Sequence, residues 1–425
     1  MQPVKLSIMG DYWDVQIYRG RLYLWEMNGR VSVYSWDGVV EKVAQQAESQ
    51  LAATIAFGRG DLLYTELSEH GEFVEWASEL LEGLGRQEFN LNRKDMQPFL
   101  LHEQENPFRD LPIDTDIFDS TLYGLCDSGL WSATVHRPYL KQAISSRPRK
   151  ISDAKAYSVR AKSGRLALAA GSDGLLEVDI GREQLWEEGE HGGQIADLGQ
   201  GTYQVSARHC SQAEWAFSSI YCSSHETGGY LVGFNWRKPD AEELDVELNI
   251  DDDQFEQTIA PAPLRPALEY VGLFDEREIS GNGVKPKTSW GAQDKIYFIR
   301  NGQIETVRFV QSKLRSEEPA FRRSEAIDLR ADYDPINAGV AYFGSIIETD
   351  EAIVVLQSDG TRATIPGPIT RWRLYPRAIR YENHLHVILN DRLLIASFNG
   401  DYFVDQDTKL LGMNYDIAPK RRYDP

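Results

Sequence analysis

Residues 15–33 read VQIYRGRLYLWEMNGRVSV, and residues 159–178 read VRAKSGRLALAAGSDGLLEV. With one inserted residue the two superpose. Val15 matches Val159, Gly20 and Arg21 match Gly164 and Arg165, and Leu22 and Leu24 match Leu166 and Leu168. Asn28-Gly29 then matches Asp173-Gly174, and Val31 and Val33 match Leu176 and Val178. Apolar residues at every second position mark a strand with one buried face. Asn-Gly and Asp-Gly both tolerate positive φ, the requirement of a tight I′ hairpin turn.

The unit recurs. Leu122 to Ala133 turns at Ser128-Gly129, Trp215 to Trp236 at Gly228-Gly229, and Lys295 to Val307 at Asn301-Gly302. Ala352 to Ile365 turns at Asp359-Gly360, and His384 to Ile395 at Asn390-Asp391, which makes seven hairpins of one style. A lone hairpin cannot bury its face. Similar hairpins separated by further strand-like runs predict four-stranded blades packed radially, an all-β propeller. Setting aside an irregular insertion of about 70 residues leaves about 50 per blade, close to the repeat lengths of such rings. Seven blades is the expected number, with six or eight as alternatives and a pair of β-sandwiches as the competing architecture. The whole chain, 1–425, reads as one propeller domain. Val4 to Ile8 is placed to complete the last blade and close the ring, with Asp401 to Val404 competing for that slot.

Over nearly its whole length the chain thus resembles the β-propeller superfamily in general. Trp36-Asp37 stands at the end of a third strand, where WD40 blades carry their signature dipeptide, but the equivalent position in blade three reads Val178-Asp179. No Gly-His pair precedes a hairpin, so the resemblance is WD40-like in shape without the WD40 signature. Ser358-Asp359-Gly360-Thr361 resembles a sialidase Asp-box but lacks its spacing and closing Trp.

Residues 41–110 break the pattern and read as a helical and loop insertion. Val43, Ala47, Leu51 and Ile55 fall four apart. After a strand-like run from Leu62 to Leu67, Phe73, Trp76, Ala77, Leu80, Leu81 and Leu84 follow the spacing of an amphipathic helix, with Gly85 at the capping position. Arg86 to Pro112 reads as an extended loop. Such a stripe can pack on the ring, dock a partner, or do both. Phe73, Trp76, Leu80 and Leu81 are therefore expected partner contacts. Lys285, Lys287 and Trp290, at the end of a Pro- and Gly-rich connection over 259–290, are a second set. Trp290 reads equally as a strand residue packed between blades. Leu244, Val246, Leu248 and Ile250 alternate with acids and predict an acidic outer strand.

Acids outnumber bases 65 to 45, a formal charge of −20, which opposes nucleic acid as a main partner. Hydrophobic residues at 42% supply a large core, and no apolar run is long enough to span a bilayer. Three cysteines, Cys126, Cys210 and Cys222, form no disulfide framework, and with a polar start at Met1 to Trp13 the expected location is the cytoplasm. His209, Cys210, Cys222 and His225 form the densest His/Cys neighbourhood, but adjacent residues on a strand point to opposite faces, and free thiols are the simpler reading. Asp251 to Asp253 lack the Gly and distal Glu of a calcium loop. The basic residues Arg137, Lys141, Arg147, Arg149, Lys150, Arg421 and Arg422 read as a solvated face, with contact to an acidic partner as the alternative. No GxSxG, HExxH, Walker or strand-linked GxGxxG motif is present. The expectation is a non-catalytic scaffold or adaptor for one or more proteins, without metal or cofactor. The alternatives are a hydrolase or lyase in the channel, or a regulatory or sensor subunit gated by a ligand or by loop cleavage.

Overall fold

The computed structural model describes residues 1–65, 71–135, 143–162, 164–180, 202–224, 226–236, 268–314, 316, 318–324, 326–329, 333–378, 380–405 and 409–414. Its strands form seven antiparallel blades, each of four strands or more. Blade one is Tyr12–Tyr18, Arg21–Glu26, Arg30–Ser35 and Leu100–Glu105. Blade two begins with Asp114–Phe118, blade three with Ser158–Lys162, blade four with Gln212–Ala216, blade five with Thr288–Ala292 and blade six with Asn337–Ala341. Blade seven is Ile369–Leu374, His384–Leu389 and Arg392–Ser397, completed by Val4–Met9 from the other end of the chain. Val4 pairs Ser397 and Met9 pairs Arg392. The competing closure segment is a 3-10 turn over Gly400–Phe403.

Buried apolar side chains divide into seven clusters, one between each pair of successive blades. The second strand of blade one shows why. Leu22 and Leu24 join the cluster shared with blade seven, while Tyr23 and Trp25 join the cluster shared with blade two. The sequence pattern predicts one buried face per strand; radial stacking covers both.

The hairpin turns are not all alike, and at Asn390-Asp391 neither residue has positive φ. Asn301 and Gly302 both have positive φ, +50° and +71°, as an I′ turn requires. At Asn28-Gly29 and Asp173-Gly174 only the glycine is left-handed, at +86° and +82°. The glycine N–H closes onto the carbonyl three residues back, Glu26 and Gly171. Neither is the I′ turn the dipeptides suggest: Glu26 and Arg30 are joined by the three-residue hairpin with a bulge glycine, and Ala169 and Leu175 by a five-residue loop. Six of the seven hairpins join the second and third strands of a blade. The one at Asp359-Gly360 joins the third and fourth strands of blade six, Ala352–Gln357 and Arg362–Pro366.

The insertion leaves blade one after its third strand and returns at Leu100. It comprises α1 (Trp36–Gln46), α2 (Gln50–Phe57), α3 (Leu62–Thr65), α4 (Gly71–Leu84) and α5 (Arg93–Met96). Ser35 and Ser49 cap α1 and α2, their side chains accepting from the Gly38 and Ala52 N–H. The strand-like run from Leu62 is thus helical as far as Thr65. The stretch read as an extended loop holds two strands instead: Glu88–Leu91, parallel to Val4–Met9, and Leu100–Glu105, the outer strand of blade one. Gly85 follows α4 for a different reason than a left-handed cap: a Cβ there would sit 2.7 Å from the Gln2 carbonyl oxygen. In blade four the outer strand is Leu268–Asp275. The acidic run at 240–256 lies outside the described residues. The connection at 259–290 contains that strand and a short helix, Glu276–Ser280.

Candidate functional site

The innermost strand of every blade has one edge without a strand neighbour, so its backbone groups need other partners. Side chains supply them. The Asp114 carboxylate accepts from the Val159 N–H at 2.9 Å, and Asp116 accepts from the Ala161 N–H at 2.8 Å. Gln16 Nε2 donates to the Thr115 carbonyl at 2.9 Å, and Trp215 Nε1 donates to the Arg160 carbonyl at 3.0 Å. Each link stitches one inner strand to the next around the channel.

Four arginines tie these carboxylates together. Arg373, buried in blade seven, grips Asp14 with both ends of its guanidinium, Nε to Oδ1 and Nη2 to Oδ2, each at 2.6 Å. Its Nη2 also lies 2.9 Å from Asp114 of blade two, and its Nη1 donates to the Thr115 carbonyl at 2.8 Å. Arg160 of blade three meets the other oxygen of Asp114 at 2.7 Å and Glu214 of blade four at 3.3 Å. Arg371 lies 3.4 Å from Asp14, and Arg377 pairs with Asp116 at 2.7 Å. Burial pushes the Asp114 carboxyl up, but Arg160, Arg373 and Arg371 outweigh it and hold the group at about 2. Every buried carboxylate of the channel thus lies against a guanidinium, which keeps it charged and ties up its lone pairs.

Within this lining is a cavity of about 870 Å³, bordered by residues from all seven blades. Aromatic side chains, Tyr18, Phe118, Trp372 and Tyr375 among them, share its wall with arginines. At the end where the inner strands finish, Arg19, Arg377 and Arg380, from blades one and seven, line the cavity together with Asp119 of blade two.

The insertion sits on that same end. Its mooring point is the Ala56 carbonyl at the end of α2. It accepts from Ser397 Oγ at 2.5 Å, His384 Nε2 at 3.0 Å and Asn383 Nδ2 at 3.4 Å. Trp36 Nε1 donates to the Phe57 carbonyl at 2.7 Å. The tryptophan of the Trp36-Asp37 dipeptide therefore serves the insertion. His384 is enclosed by Trp36, Phe57 and Tyr381, and burial pulls its pKa down to about 4. Helix α4 buries Ala77, Leu81 and Leu84 in the same cluster, with Leu80 half-buried, and leaves Trp76 43% exposed.

The expected partner contacts scatter. Phe73 belongs to α4, but its side chain lies outside the described residues. Leu81 is consumed by the chain's own core. Trp290 is buried between blades five and six, stacked on Tyr297 at 5.5 Å. Lys285 and Lys287 are exposed and reach the carbonyls of Glu226 and Tyr333 at 3.4 and 3.3 Å. Of the His/Cys neighbourhood, Cys210 and Cys222 are buried free thiols, His209 meets Ser224 at 2.9 Å, and His225 lies outside the described residues. Among the described residues no three His, Cys, Asp or Glu side chains are arranged to hold a metal ion. No described helix is long and apolar enough to cross a membrane.

The channel network was not singled out from the sequence. Arg373 and Asp14 are separated by 359 positions. Its trace is local: Asp114-x-Asp116 and Arg371-x-Arg373 place paired charges on one side of a short strand.

No family model matches the chain, and no curated protein does. Solved structures do. The chain is similar to BBS1N in complex with ARL6DN, with 9% identity over 94% of this chain and 98% of that one and a TM-score of 0.45. It is similar to the Myceliophteria_thermophila Cps50 (Swd1) β-propeller domain, with 10% identity over 91% and 97% and a TM-score of 0.44. It is also similar to the WD40 β-propeller domain of Doa1, with 7% identity over 93% of each chain and a TM-score of 0.40. At these identities the likeness concerns the ring alone.

Proposed function

We propose that this chain is a non-catalytic scaffold that docks another protein through its helical insertion, on the face where the inner strands end. The observation that carries this reading is α4. One side of the helix secures the insertion to the ring through Ala77, Leu81 and Leu84, and the other holds Trp76 partly in water. A propeller closes without helices, so the insertion is an addition to the fold rather than a condition of it. A half-exposed Trp on a helix is the kind of anchor that dominates an interface. The channel supports a non-catalytic role, because its buried carboxylates are engaged by Arg373, Arg160, Arg371 and Arg377 and none stands ready as a base.

Trp76→Ser is the test, read by thermal denaturation together with affinity purification from the native cell. The expected result is a melting temperature within a few degrees of wild type and loss of at least one stoichiometric partner. A variant that melts normally and retains every partner contradicts the proposal. Collapse of the whole fold would make Trp76 a packing residue.

A further inference from the structure

We propose that the arginine-bearing mouth of the channel is a binding site for an acidic peptide segment, distinct from the docking surface on α4. The chain carries a formal charge of −20, yet the cavity wall reverses that balance. Five arginines line it, Arg19, Arg160, Arg373, Arg377 and Arg380, against the three acids Asp116, Asp119 and Glu214. Behind the wall Asp14 and Asp114 are held by Arg373, Arg371 and Arg160, so the inner part of the channel is internally compensated.

At the opening Arg19, Arg377 and Arg380 stand with the single acid Asp119 among the described lining residues there. Arg19 and Arg380 are exposed there, and Arg377 keeps part of its guanidinium in water beyond its pair with Asp116. Arg19 donates to Ser120 Oγ at 3.4 Å, a neutral partner that leaves its charge in place. Guanidinium forks set apart around a rim suit carboxylates presented at intervals along a chain. The aromatic wall below them suits apolar side chains between those carboxylates. A cavity of about 870 Å³ admits several residues of an extended peptide and is larger than one small anion fills. Arg19 is also held at φ +45°, in the left-handed region, in the turn that ends the first strand of blade one. Glycine would be relaxed there, so the arginine is not needed to make the turn.

The test uses fluorescence polarisation of a short fluorescein-labelled peptide alternating glutamate and leucine, beside its lysine–leucine counterpart. It is run on the full chain and on the double variant Arg19→Gly/Arg380→Glu, two positions outside the buried network. The proposal expects saturable binding of the glutamate peptide and not of the lysine peptide. It expects the double variant to bind about tenfold more weakly or worse, with Arg19→Gly alone melting no lower than wild type. Equal binding of both peptides, no binding of the glutamate peptide, or wild-type affinity in the double variant overturns it. Citrate that displaces the peptide at the peptide's own concentration shows a small-anion site and overturns the peptide as occupant. Trp76→Ser leaves this binding unchanged, so failure here and failure of the docking role of α4 are told apart.

Discussion

At position 174 a glycine is held at φ +82°, and a Cβ added there would lie 1.9 Å from the Ser206 carbonyl oxygen. Gly29 has nearly the same φ, +86°, but nothing lies within 4 Å of its would-be Cβ. The two repeats thus separate conformational strain from collision. Gly29→Ala is expected to cost about 1 kcal/mol, the penalty of the left-handed region alone. Gly174→Ala is expected to cost several times that, roughly 3 kcal/mol or more, because the outer strand of blade three has to move. Urea denaturation of the pair measures both; equal losses would contradict the assignment. The same residue-level logic applies to the channel. Arg373→Met removes the partner of two buried carboxylates and is expected to destabilise by roughly 3–5 kcal/mol. Asp114 adds a pH signature. Its folded pKa, about 2, lies below the ordinary 3.8, so its contribution is complete above 3.8 and is lost as pH falls toward 2.

The insertion is the element whose attachment is most exposed to a single titration. His384 stays neutral against the Ala56 carbonyl, with a pKa pulled from 6.5 to about 4 by burial. His386, stacked on it at 5.7 Å, is pulled down by burial as well. Both pKa values are depressed on folding, so the unfolded chain binds protons first. Stability is complete above about 6.5 and falls as pH drops toward 4, by roughly 3 kcal/mol from His384 alone. Melting temperatures across that window should fall in wild type and fall less in His384→Gln; parallel profiles would contradict the mooring. This element also shows where the sequence stops being legible. The stripe Ala77, Leu81 and Leu84 announces α4 because helix packing is periodic. The start of α1 at Trp36 is hidden, because the dipeptide reads as a strand end and the cap is a single Ser35 hydroxyl. Leu62 to Thr65 reads as a strand because four apolar or β-forming residues carry no period. Hairpins repeat locally, so the fold is readable. The channel is assembled from residues such as Asp14, Asp114, Arg160 and Arg373, one each from four blades, and only the closed ring brings them together.

For the molecule as a whole the controlling feature is closure. Each apolar cluster is shared by two blades, so a ring left open would expose the clusters on either side of the gap to water, at about 25 cal/mol per Å² of apolar surface. The strand Val4–Met9 prevents this by pairing with Arg392–Ser397 on one edge and Glu88–Leu91 on the other, so the ring and the insertion share one fastening. Val4, Leu6 and Ile8 are buried in the cluster that also holds α1, α2 and α4. Leu6→Asp is accordingly expected to loosen blade seven and the insertion together, seen as a broadened thermal transition. The most direct measurement of the account is amide hydrogen exchange along the whole native chain. If the ring is closed as described, residues 4–9 exchange as slowly as residues 392–397, although they begin the chain, and residues 88–91 are protected with them. Exchange of residues 4–9 at the rate of a free peptide, while 392–397 remain protected, would contradict the closed ring.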